Sequence, residues 1–272
     1  MSKKQGQNQY QRVLTIAGSD SGGGAGIQAD LKTFSALGCY GMSVISAITA
    51  QNTLAVSAVD VVKPEMVKAQ FDMVMGDIGA DAIKIGMLAN AEITKVVIDC
   101  IRSIPVDIPV IFDPVLVATS GDVLTQLDNL ELFKQLIGDC SLITPNLVEA
   151  GVLAGCTVES QTDMEHVAKL MVEVLGAKAV LVKGGHLTGD MLGDLLYWQN
   201  HAVWFQHEKI PTKNTHGTGC TLSSAIAANM AKGHPLNVAV ENAIDFLQGA
   251  IVKGEAYSLG KGQGPVHHFY KG

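Results

Sequence analysis

Short apolar segments alternate along the chain with longer segments in which apolar residues recur at helical spacing. The short segments predict buried parallel strands at residues 13–17, 42–50, 82–85, 110–112, 142–144 and 179–183. Helices are predicted at about 27–37, from Pro64 onward, and at about 90–102, 163–175, 220–232 and 236–252. The alternation predicts one layered α/β/α domain with a mostly parallel central sheet.

Two further β segments are predicted beside this parallel core. Residues 57–62 suit an edge strand. Residues 195–198 and 203–205, joined by 199–202, have the pattern of a β-hairpin.

Composition narrows the functional class. Hydrophobic residues make up 47% of the 272 residues, which is ample for a core, and the formal net charge is −7. The chain therefore lacks the basic footprint of a nucleic-acid binder, and no apolar run approaches the roughly 18 residues of a membrane span. Residues 1–11 are polar and lack the apolar core of a signal peptide. We expect a flexible N-terminal tail at 1–11, a folded domain at 12–272, and neither a nucleic-acid nor a membrane partner.

The five cysteines are scattered and form no Cys-x-x-Cys pair. This pattern predicts neither a zinc site nor a disulfide framework, and it favours reduced thiols in the cytoplasm. We expect four of them to behave as small buried hydrophobes: Cys39, Cys100, Cys140 and Cys156. The fifth, Cys220, belongs to a motif.

A glycine-rich segment precedes the helix predicted from Cys220, and it reads Asn214-Thr215-His216-Gly217-Thr218-Gly219-Cys220. The two glycines that bracket Thr218 favour positive or strained φ, which predicts a turn. A turn that opens a helix directs free N–H groups and the positive end of the helix dipole at one place, where phosphate binds well. A plain glycine turn is the alternative. Cys220 favours the anion site, because the dipole would stabilise its thiolate.

A second glycine-rich loop, residues 18–26, follows the first predicted strand. Neither G-x-G-x-x-G nor G-x-x-x-x-G-K-[ST] can be registered on it, so it indicates neither a dinucleotide fold nor a P-loop. A simple turn between a strand and a helix remains the alternative to a binding loop.

Polar residues also follow three later strands, at the edge of the sheet where open α/β proteins bind ligands. Asp113 follows residues 110–112, and Lys183 ends the strand at 179–183. Asn146 and Glu149 have the spacing of an ordinary capping box. Such a cap does not exclude a second role for the same two residues.

The segment ending in Cys220 resembles the signature of the bacterial hydroxymethylpyrimidine and phosphomethylpyrimidine kinases, a branch of the ribokinase-like kinases. The resemblance runs from about Val13 to Phe269 and includes the 18–26 loop, the N-x-x-E motif ending at Glu149, and the C-terminal residues 260–269. Most of the superfamily carries Asp where this branch carries Cys. Around Thr119, where the family often has lysine, we assign no catalytic cation. The resemblance implies a single-domain, ribokinase-like three-layer α/β/α sandwich and a homodimer.

The resemblance also implies a set of site residues. Cys220 would be the base for the substrate hydroxyl or would merely orient it, and the N–H donors to the migrating phosphoryl group would be those of Gly217, Thr218 and Gly219. The implied substrate contacts are Gly18, Asp20, Gln51 and Met87. The implied nucleotide contacts are Asn146, Lys183, Gly185, Lys213 and Thr215. Mg²⁺ would be held by Glu149, with Asp113 as a second carboxylate, through water.

The reaction implied by the resemblance is the ATP-dependent phosphorylation of 4-amino-5-hydroxymethyl-2-methylpyrimidine to its monophosphate and then to the diphosphate, in thiamine biosynthesis. A pyridoxine or pyridoxal kinase of the same superfamily is the alternative within this class. A non-catalytic pyrimidine-binding protein is the alternative from another class.

Gln51 is expected to decide between the two heterocycles. A primary amide offers donors and an acceptor, which match the ring nitrogen and the adjacent amino group of an aminopyrimidine. Pyridoxine lacks that amino group and would leave the amide carbonyl unpaired, at a cost of about 1–3 kcal/mol. The alternative is that Gln51 only fixes its own loop.

Overall fold

The computed structural model describes residues 9–116, 129–185 and 191–271. The strands in this part of the chain are β1 (Arg12–Asp20), β2 (Tyr40–Gln51), β3 (Val56–Val61), β4 (Ala82–Ile85), β5 (Val110–Phe112), β6 (Leu142–Ile143), β7 (Ala179–Val182), β8 (Met191–Trp198) and β9 (His201–Glu208). The helices are α1 (Gly26–Ala36), α2 (Pro64–Asp77), α3 (Ala91–Ser103), α4 (Leu130–Asp139), α5 (Leu147–Ala154), α6 (Gln161–Glu173), α7 (Thr218–Ala231) and α8 (Leu236–Gly254).

All nine strands form one sheet in the order β3-β2-β1-β4-β5-β6-β7-β8-β9. The six central strands β2, β1, β4, β5, β6 and β7 run parallel to one another. β3 pairs antiparallel with β2 at one end, and at the other end β8 pairs antiparallel with β7 and β9 with β8. The chain leaves β1 first toward β2 and returns to the other side of β1 with β4. The carboxyl ends on either side of this switch point form a crevice, where ligands bind in such sheets. The predicted parallel core and edge strand are confirmed.

The alternation of side chains along β1 shows why the domain has three layers. Leu14 and Ile16 lie in one buried cluster, which also contains apolar residues of α2 to α6, whereas Val13 lies in a second cluster with residues of α1, α7 and α8. Successive residues of a strand point to opposite faces, so both faces of the sheet are covered by helices. This arrangement is the predicted ribokinase-like α/β/α sandwich. No helix in the described ranges combines the length and the apolar character that a membrane crossing requires.

Two details differ from the sequence-based expectations. The β8–β9 hairpin turns on Gln199 and Asn200 alone, both with positive φ, because His201 already pairs with Trp198. We had assigned four residues to this turn. The helices α4 and α5 were not predicted. The expected capping box is nevertheless present at the start of α5. The side chain of Asn146 accepts from the N–H of Glu149, and the side chain of Glu149 accepts from the N–H of Asn146. The first eight residues, the loop at Thr119 and the last residue lie outside the described part of the chain.

A fully buried ion pair joins the sheet to the helix layer on one of its faces. Nζ of Lys84, on β4, lies 2.9 and 3.0 Å from the two carboxylate oxygens of Asp30, on α1. Thr15 and Ser224 donate hydrogen bonds to the same carboxylate at 2.6 and 2.7 Å. The carboxylate is therefore compensated both by charge and by hydrogen bonds, which is the condition under which a buried charge is tolerated.

We predict that breaking this pair is costly and that removing both charges is much less so. Lys84→Met should lower the free energy of unfolding by about 3–5 kcal/mol, because it leaves the Asp30 carboxylate buried without a counter-charge. The double variant Lys84→Met/Asp30→Leu should recover much of this loss. Urea unfolding measures both, with Lys68→Met as the control, since the Lys68–Asp72 pair is exposed and should matter little. A single variant as stable as the parent would contradict the expectation.

Candidate active site

One cleft of about 690 Å³ follows the carboxyl edge of the parallel strands. Residues at or just beyond the ends of five strands line it: Asp20 ends β1, Gln51 ends β2, and Met87, Asp113 and Lys183 follow β4, β5 and β7. The cleft also reaches the first turn of α7. The sheet topology alone therefore brings together side chains that lie far apart in the sequence.

The first turn of α7 forms the floor of the cleft. Gly217 is the N-cap residue with φ 81°, and a Cβ on it would lie 1.9 Å from the carbonyl oxygen of Gly24. Only glycine fits both the left-handed backbone and this contact. Among the described residues no acceptor takes the N–H of Gly219 or of Cys220, whereas the N–H of Thr218 donates to Thr215 O at 3.3 Å. Of the three donors expected from the sequence, Gly217, Thr218 and Gly219, the N–H of Thr218 is thus already bound, whereas Cys220 adds a free N–H group. The free N–H groups and the positive end of the helix dipole lie at the cleft, as an anion site requires.

The expected backbone of Gly219 is corrected. We predicted positive or strained φ at both glycines and a helix from Cys220, but α7 begins at Thr218 and Gly219 is helical. Glycine suits position 219 for a different reason, because its Cα faces a cluster of charges. A Cβ there would lie 3.3 Å from Nζ of Lys183 and 3.4 Å from Oδ2 of Asp113.

The thiol of Cys220 lies where the N-termini of α7 and α1 meet, and the N–H of Gly26 donates to it. Burial nevertheless raises its pKa to about 11, with the carboxylates of Asp30 and Asp113 adding to the rise and Lys84 opposing it. The expectation that the dipole would favour a thiolate is therefore wrong. Desolvation and two nearby negative charges outweigh the dipole, so Cys220 is a neutral thiol at neutral pH.

A charged cluster stands beside the helix terminus. Nζ of Lys183 lies 2.8 Å from Oδ1 of Asp113 and 3.9 Å from Oε2 of Glu149. Although burial alone would raise it, Lys183 and Lys84 hold the pKa of Asp113 below its usual range. Burial raises the pKa of Glu149 to about 7, against the lowering effect of Lys183. Lys183 is thus a largely buried partner of two carboxylates.

The donor set of this cluster suits Mg²⁺ held through water. The two carboxylates supply oxygen ligands of the kind that Mg²⁺ prefers. No group of three or more His, Cys, Asp or Glu in the described ranges could hold a metal by itself. The raised pKa of Glu149 also indicates a carboxylate whose charge is incompletely compensated, which a nearby cation would correct. The cluster therefore fits a cation that is held mainly by a ligand's phosphates and water.

At the β1 and β2 end, Asp20 organises the 18–26 loop. Its carboxylate accepts hydrogen bonds from the backbone N–H groups of Gly22, Gly24 and Ala25 at 2.7–3.0 Å. Nε2 of His216 lies 3.0 Å from the same carboxylate. Although burial would raise it, these bonds hold the pKa of Asp20 below its ordinary value. Asp20 lines the cleft, but most of its bonding capacity is spent on shaping the loop.

Gln51 lies beside this loop with its amide turned toward the cleft. Its Oε1 lies 3.0 Å from Oγ1 of Thr49, and its Nε2 lies 3.5 Å from Nε2 of His216. The Thr49 hydroxyl also lies 2.9 Å from Ser19 O and has only one proton to share between the two acceptors. The amide therefore keeps bonding capacity for a ligand. The backbone of Gln51 is bound to Ser21, so its loop is fixed without the side chain.

Gly18 and Met87 complete this end of the cleft. A Cβ on Gly18 would lie 2.5 Å from Cε of Met87, so the thioether packs directly on the glycine backbone. Met87 is buried and offers a soft apolar wall.

The expected nucleotide residues are only partly brought together. Asn146, Gly185 and Thr215 line the cleft with Lys183. Lys213 is exposed and is not part of the lining in the described chain.

Three residues of the site had no role assigned from the sequence. His216 was quoted only as part of the motif, and its partner Asp20 lies 196 positions away. Lys84 was taken as an ordinary strand residue. Gly26 was assigned to a turn, yet its N–H donates to Cys220. A lysine inside an otherwise apolar strand was the one signal that could have drawn attention to Lys84.

The fold and the site indicate the class. A ribokinase-like sandwich with an open helix N-terminus, a lysine and carboxylates at the carboxyl edge of its sheet has the features of a small-molecule kinase.

Comparison with known proteins identifies the family within this class. A family model described as phosphomethylpyrimidine kinase matches residues 20–267, and the chain belongs to this family. A hydroxymethylpyrimidine/phosphomethylpyrimidine kinase of Rhizobium meliloti (strain 1021) is 48% identical over 261 residues, which are 95% of this chain and 97% of the relative.

Two solved structures are also similar to the chain. A phosphomethylpyrimidine kinase of Clostridium difficile 630 superposes with a TM-score of 0.78 at 41% identity, over 88% of this chain and 99% of that one. An ADP complex of Bacillus subtilis pyridoxal kinase superposes with a TM-score of 0.87 at 35% identity, over 96% of this chain and 98% of that one.

The pKa of Cys220 leads to a test by alkylation. Because only the thiolate is nucleophilic, the rate of Cys220 labelling by iodoacetamide should rise about tenfold per pH unit from pH 7 to pH 9.5. Peptide mass spectrometry measures the rate, and a Cys220→Ser variant confirms which peptide is labelled. An alkylation rate that stops rising below pH 8 would show that Cys220 is already a thiolate near neutral pH, which would contradict the raised pKa.

Proposed function

We propose that the protein transfers the γ-phosphoryl group of ATP to the hydroxymethyl oxygen of 4-amino-5-hydroxymethyl-2-methylpyrimidine, and then phosphorylates the monophosphate to the diphosphate. This would be its role in thiamine biosynthesis. The observation that carries the proposal is the position of the α7 terminus. It lies in one cleft between a pocket at Gln51 and Met87 and the polar cluster at Lys183, as a donor and an acceptor of a phosphoryl group require.

In the first step the hydroxymethyl oxygen forms a bond to the γ-phosphorus, and the bond from that phosphorus to the ADP oxygen breaks. The N–H groups of Gly219 and Cys220 would stabilise the charge on the migrating group, which is the main contribution that a protein makes to phosphoryl transfer. Lys183 lies close enough to Gly219 to contribute its charge to the same place.

We assign Cys220 the role of orienting the hydroxyl group rather than removing its proton. Its sulfur can accept a hydrogen bond from the hydroxyl while the N–H of Gly26 fixes its position. A loose transition state needs little early deprotonation, so the proton can leave late, to a phosphoryl oxygen. This assignment decides between the two roles that the sequence left open.

Glu149 and Asp113 are the residues that would hold Mg²⁺, through water, against the nucleotide phosphates. The cation would neutralise charge that develops on the phosphoryl oxygens. The chain's own part is to present two carboxylates that Lys183 keeps in place.

Further proposals concern the state of the protein. We place it in the cytoplasm, which is supported by five cysteines that are all free thiols. We also propose a homodimer, for which the apolar side chains that β2, β3 and their connection expose, Ile48, Leu54 and Val59, offer a contact surface. The kinase domain would span residues 12–272.

Pyridoxal phosphorylation is the second candidate, favoured by the similarity to the B. subtilis pyridoxal kinase. We predict that the parent enzyme prefers the pyrimidine by about one to two orders of magnitude in kcat/KM, because pyridoxal leaves an acceptor of Gln51 unpaired. Gln51→Met should abolish most of this preference. Side-by-side assays on both heterocycles measure this preference. The control is Gln70→Met, because the side chain of Gln70 binds the backbone of Ile45 outside the cleft. An unchanged ratio in Gln51→Met would remove Gln51 from substrate choice, and no turnover of the pyrimidine would refute the proposed function.

Gly219→Val tests the anion site. The side chain would enter the space beside Lys183 and Asp113 and block the approach of the phosphoryl group. We expect kcat to fall at least about 100-fold, the effect of losing one such donor elsewhere. Gly76→Val is the matched control, since Gly76 lies in α2 with no other atom within 4 Å of its Cβ position. Near-normal turnover in Gly219→Val would exclude the α7 terminus from the mechanism.

A further inference from the structure

The C-terminal elements of the chain give part of the cleft an apolar wall. Leu222 of α7, Leu247 and Ile251 of α8, and Ile210 just after β9 line it. In a kinase with the proposed ATP site, this wall suits the flat, apolar faces of a nucleobase, since ligand pockets combine apolar walls with a few placed polar groups.

Gln248 supplies such a polar group beside the wall. Its Nε2 lies 2.9 Å from Nδ1 of His207, and Nε2 of His207 lies 3.4 Å from Oδ2 of Asp194. Asp194 is itself fixed, because its Oδ1 accepts from the N–H of Gly184 at 2.8 Å. Gln248, His207 and Asp194 all line the cleft, so this chain of contacts belongs to the site and not to the interior of the domain.

The orientation of the Gln248 amide follows from this chain of contacts. A carboxylate only accepts hydrogen bonds, so the His207 nitrogen that faces Asp194 carries the proton. In the neutral imidazole Nδ1 is then an acceptor, and the amide must turn its NH₂ group toward it. The amide oxygen of Gln248 is left over, and no donor within the described residues bonds to it.

We propose that Gln248 selects the nucleobase: its Oε1 accepts a hydrogen bond from the exocyclic amino group of a 6-aminopurine. A 6-oxopurine would place an acceptor oxygen against the same lone pairs and would be disfavoured. His207 is a positioning residue in this proposal, since it holds the amide in the selective orientation without contacting the base. The proposal rests on the proposed function, because it concerns the nucleotide that the kinase uses.

The test is the ratio of the dissociation constants of GDP and ADP. Titration calorimetry measures both constants on the full chain in the absence of the pyrimidine substrate. Asp194 raises the pKa of His207, so pH 8.5 is chosen to keep the imidazole neutral. The parent should bind ADP at least about tenfold more tightly than GDP, the factor that corresponds to one net hydrogen bond. Gln248→Met, of similar length but without the amide, should bring the ratio close to one.

Two further variants separate selection from general damage. Asn242→Ala removes an amide from the same helix, outside the cleft, and should keep the parental ratio. His207→Phe removes the acceptor for Gln248 and should lower the ratio, whereas His207→Asn, whose amide oxygen can replace Nδ1, should retain part of it. A purely structural role of His207 would instead weaken both nucleotides equally in both variants.

The inference fails if the parent binds ADP and GDP equally, or if Gln248→Met keeps the parental ratio. Turnover of the pyrimidine with ATP in the same variants distinguishes this failure from failure of the proposed function. An active kinase with an unchanged ratio overturns only the inference. A protein that selects ADP through Gln248 but does not phosphorylate the pyrimidine overturns only the proposed acceptor.

Discussion

The site depends on the close approach of two backbone turns, one at Gly24 and one at Gly217. A Cβ on Gly217 would lie 1.9 Å from Gly24 O, and a Cβ on Gly24 would lie 2.3 Å from the ring of His216. Asp20 holds both turns, because it accepts from backbone N–H groups of the first and contacts His216 beside the second. This contact brings the N-termini of α1 and α7 together at Cys220, and every role proposed for the cleft requires it.

Buried charge is arranged in pairs around that point. Lys84 pairs with Asp30, and Lys183 pairs with Asp113. The cysteine stays neutral because burial, aided by the carboxylates of Asp30 and Asp113, raises its pKa, and the positive end of the α7 dipole remains available for a phosphoryl group. A thiolate at Cys220 would instead repel that group. The electrostatics thus favour a site that binds an anion and orients a hydroxyl over a site that generates a nucleophile.

The sequence predicted the framework well, because the strands are short apolar runs and parallel strands place their carboxyl ends at one edge. That rule alone brought Asp113, Glu149 and Lys183 to the correct edge. The capping box at Asn146 also needed only local spacing. The helices α4 and α5 were missed, since α4 follows a long segment without a clear pattern and α5 has only eight residues.

What could not be predicted depends on contacts between distant parts of the chain. The thiolate expected at Cys220 followed from a local dipole argument, whereas its raised pKa comes from burial and from carboxylates on α1 and after β5. The helical backbone of Gly219 was mispredicted because its glycine was taken as a sign of a turn, whereas the residue lies in α7 and faces Lys183 and Asp113. The pairing of Gln248 with His207 likewise joins α8 to β9 and has no local signal.

The most direct test of the account is a crystal structure with the pyrimidine, Mg²⁺ and ADP carrying a beryllium or aluminium fluoride in place of the γ-phosphoryl group. We predict that the fluorides lie within about 3 Å of the N–H groups of Gly219 and Cys220, the distance expected of such donors. The hydroxymethyl oxygen should lie between the fluoride group and the sulfur of Cys220. A fluoride group bound away from the first turn of α7 would contradict the central claim.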